Sequence, residues 1–200
     1  MKVYKIKPSE RPKDRRFKEY SMLVADDRVW DVIMPEGEGF DGKPYGKKWR
    51  KQPFYIEKPL IPRPDFFDAQ CATIACNEKA RTLAGEALEM SGELLPIRVE
   101  GEKADYWLYN VTNCINVLDK KKSKWQKLGP DPDSQILKEP YFIASRFGEE
   151  SIFKIAEDRG AAIYCVEVSG DPDDGEFKAV VEKYSLTGLI FELVWTVGNQ

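Results

Sequence analysis

Histidine is absent from this 200-residue chain. Every mechanism that needs an imidazole base, proton shuttle or metal ligand is therefore closed to it, and Ser-His-Asp and Cys-His hydrolases are excluded. Cysteine is scarce. Cys71, Cys76, Cys114 and Cys165 are irregularly spaced and form no C-x-x-C pair, so a structural zinc site is not expected. Cys76, just ahead of Asn77, is the one thiol placed where a helix N-terminus could activate it. The plainer reading of all four is as small buried hydrophobes in a reduced protein. No apolar run approaches twenty residues, and Met1 to Arg16 is polar with no hydrophobic signal segment. Neither a membrane span nor secretion is expected, and the chain reads as cytoplasmic.

What is present is enough for a large core: 42% of the residues are hydrophobic and 32% charged, and a domain of this length hides about 70% of its unfolded surface. Thirteen prolines and fourteen glycines are near average usage, which removes fibrous and low-complexity classes. The net charge of −3 hides a division, with +6 over residues 1–63 and −9 over residues 64–200. Between the two lies the Pro-punctuated stretch Lys58-Pro-Leu-Ile-Pro-Arg-Pro64, whose prolines favour extended backbone. The expected organisation is a variable basic N-terminal region, 1–63, of strands and a long loop, followed by an α+β domain, 64–200.

In the first region, alternation at Val3 to Lys7 predicts a strand, and Tyr20 to Ala25 a second. Pro35 to Tyr55, rich in Gly, Pro and charge, reads as a long loop whose order must come from its aromatics. The second region is clearer. Asn77 stands where an N-cap belongs, and Ala80, Leu83, Ala84, Ala87 and Leu88 recur at helical spacing, predicting a helix over about 78–90. Strands are expected before it (Ala72 to Cys76) and after it (Leu94 to Val99, at an edge or bulge because of Pro96), then at Tyr106 to Val111 and Ile152 to Ala156. A second strand, helix and strand follow at Ala162 to Val168, Phe177 to Tyr184 and Leu189 to Val194, with Asp173 and Glu176 read as a capping box. The pattern predicts helices packed on a mixed or antiparallel sheet.

Three charged clusters invite a functional reading. Lys43, Lys47, Lys48, Arg50 and Lys51 interleave with Tyr45, Trp49, Phe54 and Tyr55, the mixture of cations and stacking rings used by single-stranded nucleic-acid binders. An acidic pI near 5.3 and the lack of any RNA-binding motif argue against nucleic acid, and a protein partner with an acidic face suits the same residues. Lys120, Lys121, Lys122, Lys124 and Lys127 form a second basic run without a Gly-rich phosphate loop. Asp171, Asp173, Asp174 and Glu176 depart from calcium-loop spacing and read as a helix cap or a lure for a basic partner. No nucleophile and base are brought together by any motif, so no catalytic residue, metal or cofactor is expected.

Taken in order, Ile74-Ala-Cys-Asn-Glu-Lys-Ala-Arg81, Leu94-Leu-Pro-Ile97, Tyr106-Trp-Leu-Tyr-Asn-Val111 with Leu118-Asp119, Ile152-Phe-Lys-Ile155 and Leu186-Thr-Gly-Leu-Ile-Phe-Glu-Leu-Val-Trp195 resemble immunity-protein family eleven of bacterial polymorphic toxin systems, formerly a domain of unknown function of myxobacterial type. The resemblance spans about residues 65–197. It implies a cytoplasmic antitoxin, encoded beside a toxin, that binds and occludes the toxin domain without catalysis. It carries over no contact residues, because partner specificity usually lives in loops. Two alternative surfaces are expected to meet the toxin: Asp171, Asp173, Asp174 and Glu176 for a basic toxin, or Lys47, Lys48, Trp49 and Arg50 for an acidic one. The rival readings are an enzyme that reverses a toxin's covalent modification, and a nucleic-acid-binding module.

Overall fold

The computed structural model describes residues 1–9, 22–25, 29, 42–57, 62–69, 72–127, 129, 135–158 and 160–198. Cys71, residues 35–41 of the long-loop reading and 58–61 of the Pro-rich stretch lie outside them. The chain is α+β. In order it runs β1 (Lys2–Pro8), β2 (Met22–Val24), β3 (Pro53–Glu57), β4 (Phe66–Asp68), β5 (Ile74–Asn77), α1 (Glu78–Glu89), β6 (Gly92–Val99), β7 (Tyr106–Val111) and β8 (Cys114–Ile115). It continues through β9 (Lys124–Lys127), β10 (Gln135–Glu139), β11 (Ile152–Ile155), β12 (Ile163–Glu167), α2 (Phe177–Lys183) and β13 (Leu189–Thr196). Among the described residues no helix is long and apolar enough to cross a membrane.

Six strands close a small barrel in the order β2-β3-β6-β7-β5-β4, and five form an open sheet in the order β13-β1-β12-β11-β8. The two strand-helix-strand units follow one rule. β5 and β6 both pair antiparallel with β7, which lies between them, and β12 and β13 both pair antiparallel with β1. Each unit is thus a split β-α-β whose slot is filled by a strand from elsewhere in the chain. Segment 1–63 supplies β1 to the sheet and β2 and β3 to the barrel, so both layers mix the basic and acidic parts of the sequence.

The helices form for local reasons and persist because of packing. Asn77 is extended, and its side chain accepts the Ala80 amide at 2.9 Å, starting α1. Ala80, Ala84, Ala87 and Leu88 are buried along one stripe against the outside of the barrel. α2 departs from its expected cap. Ser151, at the foot of β11, accepts the Phe177 amide at 3.1 Å and donates to the Gly175 carbonyl at 3.0 Å, so another segment closes the N-terminus. Phe177 is fully buried, edge-on to Phe66 and Phe191 with centroids 5.7 and 6.0 Å away. Tyr184, expected on the packed face, is the exposed C-cap of α2.

Three clusters make the core. One fills the barrel, with Phe54, Phe67, Leu95, Ile97, Tyr106 and Leu108 pointing inward. A second lies between barrel, helices and sheet, and a third covers the far face of the sheet around Phe142, Phe153 and Tyr164. Alternation along β12 divides Ile163 and Cys165 from Tyr164 and Val166 onto these two faces.

A clamp joins distant parts of the chain. Asp65 takes the Thr187 amide at 2.8 Å, the Thr187 hydroxyl at 3.0 Å and the Lys79 ammonium at 3.1 Å. Burial opposes ionisation of Asp65, but these donors and the Asn77 amide outweigh it, and the carboxyl is held below its ordinary range. Gly188 follows at φ +105°, and a Cβ there would lie 2.0 Å from the Phe66 carbonyl oxygen. Only glycine allows this approach.

Candidate partner-binding surface

Segment 42–52 is an ordered strap across the barrel, shorter than the long loop expected, since Phe54 and Tyr55 already belong to β3. It begins at Gly42, whose φ of +93° and contact with Cys114, 2.7 Å from an added Cβ, admit no side chain. A single 3-10 turn over Gly46–Lys48 follows. The Glu93 carboxylate on β6 grips this turn from below, accepting the Tyr45 amide at 2.6 Å and the Gly46 amide at 3.0 Å. Asn110, opposite Glu93 on β7, donates to Glu93 at 2.9 Å and to the Lys43 carbonyl at 2.9 Å.

The strap ends on Trp49. Its indole N–H donates to the Pro96 carbonyl at 2.8 Å, and its ring meets Tyr45 edge-on at 5.4 Å. Both rings pack on the barrel core. β6 pairs with β3 only at Arg98 and Val99, so its stretch before Pro96 has β7 on one side alone. The Arg98 amide, two residues on, bonds Gln52 rather than β7. Pro96 faces the same way, so its missing N–H breaks no bond to β7. The edge position expected from this proline is the position the strap covers.

Tyr45 and Trp49 are thereby committed to the barrel, in keeping with a loop ordered by its aromatics, while Tyr55 is exposed. Lys47 and Lys48 are not committed. Lys47, Lys48 and Arg50 are exposed, and no ion pair forms at Lys47 or Lys48 among the described residues. Arg50 turns one guanidinium nitrogen back onto the Lys47 and Trp49 carbonyls at 2.9 and 3.0 Å, fixing where its charge sits. Lys51 pairs with Asp105 at 3.2 Å. The result is a patch of positive charge on a backbone that cannot relax freely.

The acidic turn is organised inward. Glu176 is 6% exposed and is no part of a surface patch. Its carboxylate accepts the amides of Val168, Ser169 and Gly170, each at 2.8 Å, closing the turn after β12. The capping box is therefore absent: Glu176 is the N-cap of α2 but makes no side-chain cap bond. Asp171 accepts the Asp173 amide at 2.9 Å, Asp173 pairs with Lys183 at 2.8 Å, and Asp174 accepts the Ser169 hydroxyl at 2.7 Å. Asp171, Asp173 and Asp174 are exposed, and each already has a partner.

The second basic run divides. Lys122 lies over the Tyr141 ring, 4.4 Å from its centroid, and Lys124 pairs with Glu139 at 2.7 Å across the β9–β10 hairpin. Cys76 is fully buried in β5. Burial, only partly offset by Arg81, pushes its thiol up to about 12, so proximity to a helix N-terminus does not make it a nucleophile. Sequence reasoning missed Glu93, Pro96 and Asn110 as the anchors of the strap. The one signal was a proline inside a strand pattern, which marks an edge that something must cover. It also missed the network in which Glu167 takes Lys2 and Lys178, both at 2.9 Å, and the Tyr4 hydroxyl at 3.2 Å.

The chain matches no family model, and no curated protein is significantly similar to it in sequence.

Proposed function

We propose that the protein is an immunity protein that binds a cognate bacterial toxin domain and neutralises it by occlusion. The observation that carries this reading is the strap: Lys47, Lys48 and Arg50 stand exposed on a segment tied down by Glu93, Asn110 and Pro96. A pre-ordered cationic surface loses little entropy on binding and speeds encounter with an acidic partner. The acidic turn offers less to a partner, because its carboxylates already serve backbone amides, Ser169 and Lys183. The partner of this reading is therefore a toxin with an acidic face. Tyr45 and Trp49 are turned onto the barrel core, which favours a protein partner over single-stranded nucleic acid. The order of strand and helix segments from Ile74 to Trp195, similar to that of the immunity family, supplies the toxin as the class of partner.

The test is neutralisation by titration. The toxin encoded beside this gene, expressed alone, should stop growth, and co-expression of this chain should restore it. In vitro, protection should saturate near one immunity protein per toxin. Protection far below that ratio would instead identify an enzyme acting on the toxin's product.

A further inference from the structure

The far face of the five-stranded sheet changes character along β1. Val3 belongs to the core there, whereas Lys5 and Lys7, two and four residues on, open onto a cleft of about 460 Å³ beneath β10 and the segment after it. Tyr164 of β12 lines the cleft with Asp158, Lys138 and Glu192. Tyr164 is 3% exposed, and its ring is stacked on Phe153 at 5.6 Å and set edge-on to Phe142 at 6.1 Å. Its position is therefore fixed by packing, while its hydroxyl makes no hydrogen bond among the described residues. The hydroxyl is not among the buried, unpartnered side-chain atoms, so it opens onto the cleft as an unused donor. Burial and the carboxylates of Asp158 and Glu192 raise its pKa, so it stays a donor.

The charges around it are mixed rather than of one sign, with Lys5, Lys7 and Lys138 facing Asp158 and Glu192. Lys7 pairs with Glu192, and Lys5 acts electrostatically on Asp158, whose pKa burial raises. A ligand with one charge would meet like and opposite charges together, whereas a ligand carrying both could satisfy both. We propose that this cleft binds a small zwitterion of the amino-acid class, with its carboxylate on the Tyr164 hydroxyl and Lys5 and its ammonium toward Asp158. The volume suits such a molecule, and the site lies on the open sheet, apart from the cationic strap on the barrel.

The experiment titrates the purified full chain with glycine, L-alanine, L-glutamate and L-lysine, using acetate and ethylamine as singly charged controls. Calorimetry and protein-observed NMR of the isotope-labelled chain provide the readouts. At least one amino acid should bind saturably at one per chain and more tightly than either control. Tyr164→Phe, which keeps the stacked ring, and Lys5→Met should each weaken that binding tenfold or more, and K47E/K48E should leave it unchanged. In the wild type, ligand-induced shifts should centre on Tyr164, which keeps the test decisive if a variant misfolds. The proposal is overturned if none of the four binds saturably, if a control binds as tightly, if Tyr164→Phe folds and keeps full affinity, if K47E/K48E abolishes binding, or if the shifts centre elsewhere.

Discussion

The indole nitrogen of Trp49 lies 2.8 Å from the carbonyl oxygen of Pro96, so a side chain of the strap completes a strand edge that proline leaves without a neighbour. Trp49→Phe keeps an apolar ring on the barrel and removes this bond. The expected cost is about 1 kcal/mol. Amide exchange should accelerate across residues 43–50 while β12 and α2 stay protected. Uniform acceleration throughout the chain would place the bond in the global core instead.

Glu176 and Asp174 share the Ser169 hydroxyl, but only Glu176 also holds backbone amides, and their substitution should separate turn-building from surface charge. Glu176→Ala leaves the Val168, Ser169 and Gly170 amides without their acceptor and should cost about 1–3 kcal/mol in urea unfolding. Asp174→Ala, at an exposed position, should stay within about 0.5 kcal/mol.

Acid should find the Glu167 network early. Burial opposes ionisation of Glu167, but Lys2, Lys178 and Tyr4 outweigh it and hold its pKa at about 2, against 4.5 for an unperturbed carboxyl. A depressed folded pKa means that the unfolded chain takes up the proton first. The network's contribution is therefore present in full above pH 4.5 and is lost as pH falls toward 2. Glu167→Gln should lower the melting temperature at pH 7, and the gap from wild type should close over that interval. A gap independent of pH would contradict the assignment.

The buried thiols should be silent. Cys76 and Cys165 are 0% exposed, and burial raises both pKa values. Ellman's reagent at pH 8 should modify them only at the rate at which the protein opens, with half-buried Cys114 reacting sooner. Rapid labelling of Cys76 in the native state would reopen the case for it as a nucleophile.

Much of the fold was legible. Asn77 and the alanine stripe marked α1 almost to the residue, alternation marked β1, and the strands expected at Tyr106 to Val111 and Ala162 to Val168 are β7 and β12, because those signals are local. The barrel was not legible: β3 and β4 are short, and what places them is pairing with β2, β5 and β6, which the sequence does not announce. The acidic turn misled for a related reason. Glu176 has the spacing of a capping residue to Asp173, yet it folds back on Val168, Ser169 and Gly170 while Ser151 does the capping from twenty-six residues away. In the strap, the cations were visible in sequence. Their anchors, Glu93 and Asn110, became connected to it only when β6 and β7 paired.

In the proposed complex, Lys47, Lys48 and Arg50 would meet an acidic face of the toxin. The most direct measurement is the association rate constant of the complex against salt concentration, for wild type and for K47E/K48E/R50E. The wild-type rate should fall as salt rises, and the variant rate should be at least tenfold lower at low salt and depend little on salt. Equal rates for the two proteins at every salt concentration would contradict this contact.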